Sequence, residues 1–270
     1  MAATGFVVTK EHRRFTEFAD AVRRQRTIGI CFGQAGIGKT LSARRYANWN
    51  KAGELLEQWG PRDDSDFQVY AALARRRTVF YTPGVLTTPK ELGTEINDLT
   101  LRVSLCIDQH LYKTARKAGP RTSASKNVEL IIIDESERLG PTALELMRDR
   151  YDRDNTALIL IGMPGIEKQF SRYPQLYSRV GFAHEYRPLS REELHFVLER
   201  RWHRLGHELN PDDFTDAQAV AAIARITRGN FRLIDRLFTQ MERVMRINEL
   251  TAITDDVVEA ARSTLVIGIS

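Results

Sequence analysis

Two short stretches of the chain combine residue types suited to phosphoanhydride chemistry. Gly33-Gln34-Ala35-Gly36-Ile37-Gly38-Lys39-Thr40 has the spacing G-x-x-x-x-G-K-T, and Asp134-Glu135 closes the apolar run Ile131-Ile132-Ile133. In the first stretch, glycines let successive backbone N–H groups converge on phosphate oxygens with no Cβ in the way. The helix that follows, beginning at Thr40 and Leu41, adds partial positive charge at its N-terminus. Lys39 reaches the β- and γ-phosphates, and the Thr40 hydroxyl serves Mg²⁺. In the second stretch, a buried strand delivers two carboxylates: Asp134 for the Mg²⁺ coordination shell and Glu135 to polarise the water that attacks the γ-phosphate.

These residues work only if the chain places both stretches at one edge of one sheet. The pattern predicts that it does. Apolar runs at 28–32, 78–82, 128–133, 156–161 and 182–186 read as buried strands, separated by amphipathic helices such as 40–51, 67–77 and 141–153. Strands alternating with helices imply an α/β fold: a parallel sheet with helices on both faces. Ligands of such sheets bind beyond the carboxyl ends of the strands. The composition changes after Pro188. Ser190-Arg191-Glu192-Glu193 is a capping box, and helical patterns at 191–205, 216–227, 231–247 and 255–264 follow with no strand between them. The expected organisation is an N-terminal tail and helix (1–27), an α/β nucleotide-binding core (28–188) and a small all-helical lid (189–270).

The bulk numbers leave room for this. With 270 residues, 42% of them hydrophobic and 28% charged, a full core can form and wholesale disorder is excluded. A net charge of +5 biases the surface toward anionic partners. Cys31 and Cys106 sit in apolar contexts, with neither metal-ligand spacing nor a disulfide framework. No apolar run is long enough to span a membrane, so a cytoplasmic protein without a membrane partner is expected.

Across about residues 10–265 the sequence resembles the AAA+ ATPases. The resemblance is carried by Gly33–Thr40, the 130–135 run, Leu158-Ile159-Leu160-Ile161-Gly162, Gln175-Leu176-Tyr177-Ser178-Arg179-Val180 and Gly229-Asn230-Phe231-Arg232. It implies ATP as the nucleotide, ATP hydrolysis as the activity and Mg²⁺ as the metal. It implies that Arg179 is an arginine finger, completing the site of a neighbouring subunit and so requiring a homo-oligomer, a ring or a helical filament. It implies that Arg232 touches the γ-phosphate from the lid of the same subunit. One position departs from the pattern. Where the family places a polar residue to orient water, this chain has Met163, which predicts slow or partner-dependent hydrolysis.

Within that family, the run Ile131 to Gly140, the small lid and the lack of further modules most resemble the transposition regulators, exemplified by phage Mu MuB, TnsC and TniB. That resemblance implies ATP-dependent binding to double-stranded target DNA and recruitment or activation of a transposase, with a target-selector protein as a further partner. The alternatives are a helicase-loader-like assembly factor and a switch NTPase with no DNA role. Only 27 residues precede the first strand, so the DNA grip is expected in the core. Lys113, Arg116, Lys117, Arg121 and Lys126 form a stretch with no acidic residue. Preceding the strand that carries Asp134, it is expected at the sheet edge opposite the nucleotide, where it would meet DNA phosphates.

Overall fold

The apolar runs form five strands, β1 (Ile28–Phe32), β2 (Thr78–Tyr81), β3 (Leu130–Ile133), β4 (Ala157–Gly162) and β5 (Val180–Glu185). The computed structural model describes residues 6–58, 60, 64–115 and 126–265. The helices, in chain order, are α1 (Lys10–Gln25), α2 (Lys39–Tyr46), α3 (Trp49–Glu57), α4 (Phe67–Arg76), α5 (Pro89–Ala115), α6 (Pro141–Asp154), α7 (Ile166–Phe170), α8 (Pro174–Tyr177), α9 (Arg191–Arg204), α10 (Phe214–Thr227), α11 (Phe231–Ile247) and α12 (Asp255–Ser263).

The strands pair in the order β2-β3-β4-β1-β5, every pair parallel, with Ile131 opposite Leu158 and Ile30 opposite Leu160. This is the predicted α/β architecture. All residues of β2, β3 and β4 are buried, as expected of strands covered on both faces. The edge strand β5 alternates half-buried and exposed residues, a pattern that gave a weaker sequence signal and hid its first two residues. Gly29 lets α1 lie close on β1: a Cβ there would stand 2.6 Å from Val22 Cγ2 and 2.8 Å from Phe18 Cζ.

The expected helix 40–51 is two helices. Asn48 breaks it by adopting the left-handed conformation (φ 55°) and donating its side-chain amide to Ala72 O at 3.0 Å. Asparagine is among the few residues besides glycine that adopt that backbone with some frequency. Helix α10 begins at Phe214, earlier than its apolar pattern, because the Asp213 carboxylate caps the N–H groups of Thr215 and Asp216.

The described chain divides into two compact units, one holding 14–33 and 39–186 and the other 6–13, 34–38 and 187–265. The second has its own core. Trp202, Leu198, Ile223, Ile234, Leu237, Met241 and Val258 are buried together, and Trp202 Nε1 donates to Asp216 Oδ1 at 3.1 Å. The Ser190–Glu193 capping box is formed, and such a cap is worth about 1 kcal/mol.

Candidate nucleotide-binding site

In the sheet unit the chemistry gathers where β1 and β3 end. Lys39 opens α2 and is buried, its Nζ donating to Gly33 O at 2.5 Å. Thr40 Oγ1 donates to Asp134 Oδ2 at 2.6 Å, joining residues 94 apart in sequence. Asp134 N donates to Tyr81 O at 2.9 Å, extending the β2–β3 pairing one residue beyond the strand and fixing where the carboxylate emerges. Asp134 is 3% exposed, and its other oxygen accepts the Glu135 N–H at 3.0 Å. Burial pushes the Asp134 carboxyl above its ordinary range, opposed by the bonds from the Thr40 hydroxyl and the Glu135 N–H.

Among the described residues no group of three or more His, Cys, Asp or Glu side chains could hold a metal. One hydroxyl and one buried carboxylate are what a Mg²⁺ arriving with nucleotide phosphates and its own waters requires, and too little for a cation caged by protein alone. The residues present therefore fit Mg²⁺ as a companion of the nucleotide.

The middle of the loop belongs to the other unit and is held there by one turn. Asn230 Nδ2 donates to Ala35 O at 2.8 Å, and Arg232 N donates to Gly36 O at 3.1 Å. A trans peptide points its C=O and the following N–H in opposite directions. With the Ala35 and Gly36 carbonyls turned to α11, the N–H groups of Gly36 and Ile37 face away from it. Gly36 (φ 80°) takes a backbone that side-chain-bearing residues avoid, and a Cβ there would lie 2.6 Å from Asn230 Oδ1. Ile37 is buried, Gln34 and Ala35 are exposed, and Leu41 lies at the surface one residue beyond Thr40. Arg232 is exposed beside the loop, at the start of the helix that Asn230 caps. Asn230 thus caps α11 through its Oδ1 and reaches the loop through its Nδ2, a double role that the sequence did not mark.

Arg179 lies at the other end of the sheet. Its carbonyl accepts from Ile28 N at 3.1 Å and Thr27 Oγ1 at 2.9 Å, where β1 begins. Strand β1 has five residues, about 16 Å at 3.3 Å per residue. That is farther than an arginine side chain extends. The guanidinium instead forms a fork with Asp152, Nε to Oδ1 at 2.6 Å and Nη2 to Oδ2 at 2.9 Å. Arg179, with Arg148 adding to it, holds the Asp152 carboxyl below the usual carboxylate range. Nothing in the sequence marked Asp152 as this partner.

Met163 follows β4 with its side chain 41% exposed. Of the basic stretch, Lys113 Nζ stands 5.1 Å from the centroid of the Phe67 ring, and Lys126 pairs with Asp154 at 3.0 Å. Arg116, Lys117 and Arg121 lie outside the described residues. Lys126 precedes the first residue of β3 and Asp134 follows the last, so the two stand beyond opposite ends of that strand.

The buried Asp134 sets a testable trade. Because its folded-state pKa is raised, the ionised carboxylate favours unfolding, and this penalty grows as pH rises from the ordinary value of 3.8 through the folded one. Asp134→Asn is therefore expected to melt at a higher temperature than wild type near pH 7.5, the gain shrinking toward acid, while Mg²⁺-dependent hydrolysis falls at least about 100-fold. Thermal melts at several pH values and a hydrolysis assay check both halves.

Residues 22–170 match the protein family described as an AAA domain. A Staphylococcus aureus protein described as a potential ATP-binding protein is 47% identical over 271 residues, covering 98% of this chain and 97% of that one. Among solved structures, the Thermotoga maritima RuvB Holliday junction branch migration motor is similar with a TM-score of 0.56 at 17% identity, over 96% of this chain and 70% of that one. Cdc6p from Pyrobaculum aerophilum gives a TM-score of 0.58 at 13% identity, over 100% of this chain and 71% of that one. At such identities the structural likeness establishes the fold. The family match spans more than half of the sequence, and on that ground the chain belongs to the AAA domain family, with the fold of the AAA+ P-loop NTPases.

Proposed function

We propose that this protein is an ATP-dependent, DNA-binding regulator of DNA transposition. It assembles on duplex target DNA with ATP, recruits or activates a transposase, and disassembles as ATP is hydrolysed. The observation that carries the reading is the Thr40–Asp134 bond with Glu135 next in the chain. It brings Thr40, Asp134 and Glu135 together at one edge of the sheet, which supports reading them as the metal-binding hydroxyl, the metal-shell carboxylate and the general base. A 47% identical relative described as a potential ATP-binding protein supports ATP as the nucleotide. A fold shared with a Holliday junction branch migration motor and the basic stretch 113–126 support DNA as a partner. The transposition role rests on the resemblance of the 131–140 run and the small lid to the transposition regulators.

In this mechanism the loop N–H groups and Lys39 hold the phosphates, while Thr40 and Asp134 orient the metal's shell. When bound, Mg²⁺ neutralises charge on the β- and γ-phosphates. Glu135 accepts a proton from the attacking water. Arg179 of one subunit neutralises transition-state charge at the next subunit's site, and Arg232 contacts the γ-phosphate of its own. Each site is then incomplete until a neighbour docks, which couples nucleotide binding to assembly.

Fluorescence anisotropy with labelled duplex DNA tests the reading. Binding is expected only with ATP or a non-hydrolysable analogue, with log affinity falling linearly in log salt concentration. Lys117→Ala with Arg121→Ala is expected to reduce that slope by about 2, one for each DNA phosphate left without its cation. Equal affinity with and without nucleotide, or no DNA binding at all, would overturn the reading.

A further inference from the structure

The carboxylate of Glu135 does not stand free at the end of β3. Glu135 adopts the left-handed conformation (φ 50°, ψ 44°), an arrangement that costs an ordinary residue free energy and persists only where its surroundings enforce it. Three interactions enforce it. The Ser136 hydroxyl, fully buried, donates to Ile133 O at 2.8 Å, and Arg138 N donates back to Glu135 O at 3.0 Å, winding the chain into a single 3-10 turn over Ser136–Arg138. Across that turn the Arg138 guanidinium forms an ion pair with the Glu135 carboxylate. The same guanidinium donates from Nη1 to Pro83 O at 2.6 Å, at the base of the segment joining β2 to α5.

A carboxylate polarises water by offering its lone pairs to a water proton. Lone pairs engaged by guanidinium N–H groups are not available for that. We infer that Arg138 is a positioning residue for Glu135. It holds the carboxylate in a resting arrangement, and hydrolysis follows when the pair opens. This rests on the hydrolytic reading of the site given above. The pair is 33% and 45% exposed, so water competes for both ends and opening it is inexpensive. The Pro83 bond sets what opens it. Beyond Pro83 the segment carries Val85 (79% exposed) and Leu86 (90% exposed), then ends in a firm cap, where Thr88 Oγ1 and Glu91 Oε2 meet at 2.9 Å. A displacement of this segment moves the Pro83 carbonyl and withdraws one of the bonds that hold the guanidinium over Glu135. Met163, unable to orient water itself, leaves the rate especially dependent on where the Glu135 carboxylate points.

Three variants test the inference: Arg138→Gln, which keeps a donor for Pro83 O but loses the charge; Arg138→Lys, which keeps the charge; and Arg138→Gln combined with Glu135→Gln. Steady-state ATP hydrolysis, ATP affinity by a fluorescent analogue and thermal melts are measured for each. Arg138→Gln is expected to raise kcat by about twofold to fivefold, the scale of one exposed ion pair, with ATP affinity unchanged. Arg138→Lys is expected to stay near wild type, and the double variant to be no faster than Glu135→Gln alone. A kcat that is unchanged or lower in a folded, ATP-binding Arg138→Gln overturns the inference, as does a gain that survives in the Glu135→Gln background. If wild type and Arg138→Gln both bind ATP and neither hydrolyses it, the hydrolytic reading itself fails, and the positioning role fails with it.

Discussion

Glu135→Gln is expected to lower the rate of ATP hydrolysis by about 10²- to 10⁴-fold, the span that general-base catalysis supplies. Affinity for ATP is expected to stay within about threefold of wild type, because uniform binding does not depend on a group that acts only in the transition state. Glutamine keeps the size of the side chain and accepts a hydrogen bond through its carbonyl oxygen, but it cannot take up a proton. The distinction from Asp134 is geometric. Asp134 is buried and bonded to the Thr40 hydroxyl, which supports its proposed place in the metal's shell, whereas Glu135 is half-buried with a left-handed backbone. A single-turnover assay at saturating ATP, beside an equilibrium binding measurement, separates the two effects. Loss of binding in parallel with rate would move Glu135 out of the role of base.

Arg179→Ala is expected to cost about 10³-fold or more in hydrolysis by the DNA-bound assembly and almost nothing in ATP binding by the isolated subunit. The reason lies in the sheet. Arg179 sits where β1 begins, and the phosphate loop follows where β1 ends, so the guanidinium serves another subunit's nucleotide or none. In the single chain it is forked onto Asp152, and in the proposed assembly a docking neighbour would exchange that carboxylate for phosphate oxygens. The two groups are 31% and 32% exposed, so water can take over each one's hydrogen bonds during the exchange. Rates measured with and without duplex DNA check the prediction. An unchanged DNA-bound rate would show that another cation, with Arg172 nearest in sequence, takes the part.

Much of the architecture was legible because the forces that build it leave periodic marks. A strand covered on both faces must be apolar at every position, and Leu130–Ile133 and Ala157–Gly162 are. The Ser190–Glu193 capping box was readable because both its bonds lie within four residues of sequence. The phosphate loop was readable for a similar reason, since its backbone demands glycine at Gly36 and Gly38, where φ is positive. What could not be read were partners fixed by the tertiary fold. Asn48 breaks the helix after the loop through a bond to a carbonyl 24 residues away, Arg138 reaches Pro83 across 55, and Arg179 finds Asp152 across 27. Charged side chains carry no register of their own, so the sequence offered candidates to act on phosphate but not the side chains and carbonyls that hold them.

The central claim is that each nucleotide site is shared between subunits assembled on DNA. Mixing two inactive variants tests it most directly. Lys39→Ala spoils a subunit's own site and leaves its Arg179 intact, whereas Arg179→Ala keeps the site and withholds the arginine. In an equimolar mixture on duplex DNA, random assortment pairs an intact site with an intact Arg179 at roughly a quarter of the interfaces, so ATP hydrolysis is expected to recover to about a quarter of the wild-type rate. A mixture no more active than its two components measured separately would contradict the claim.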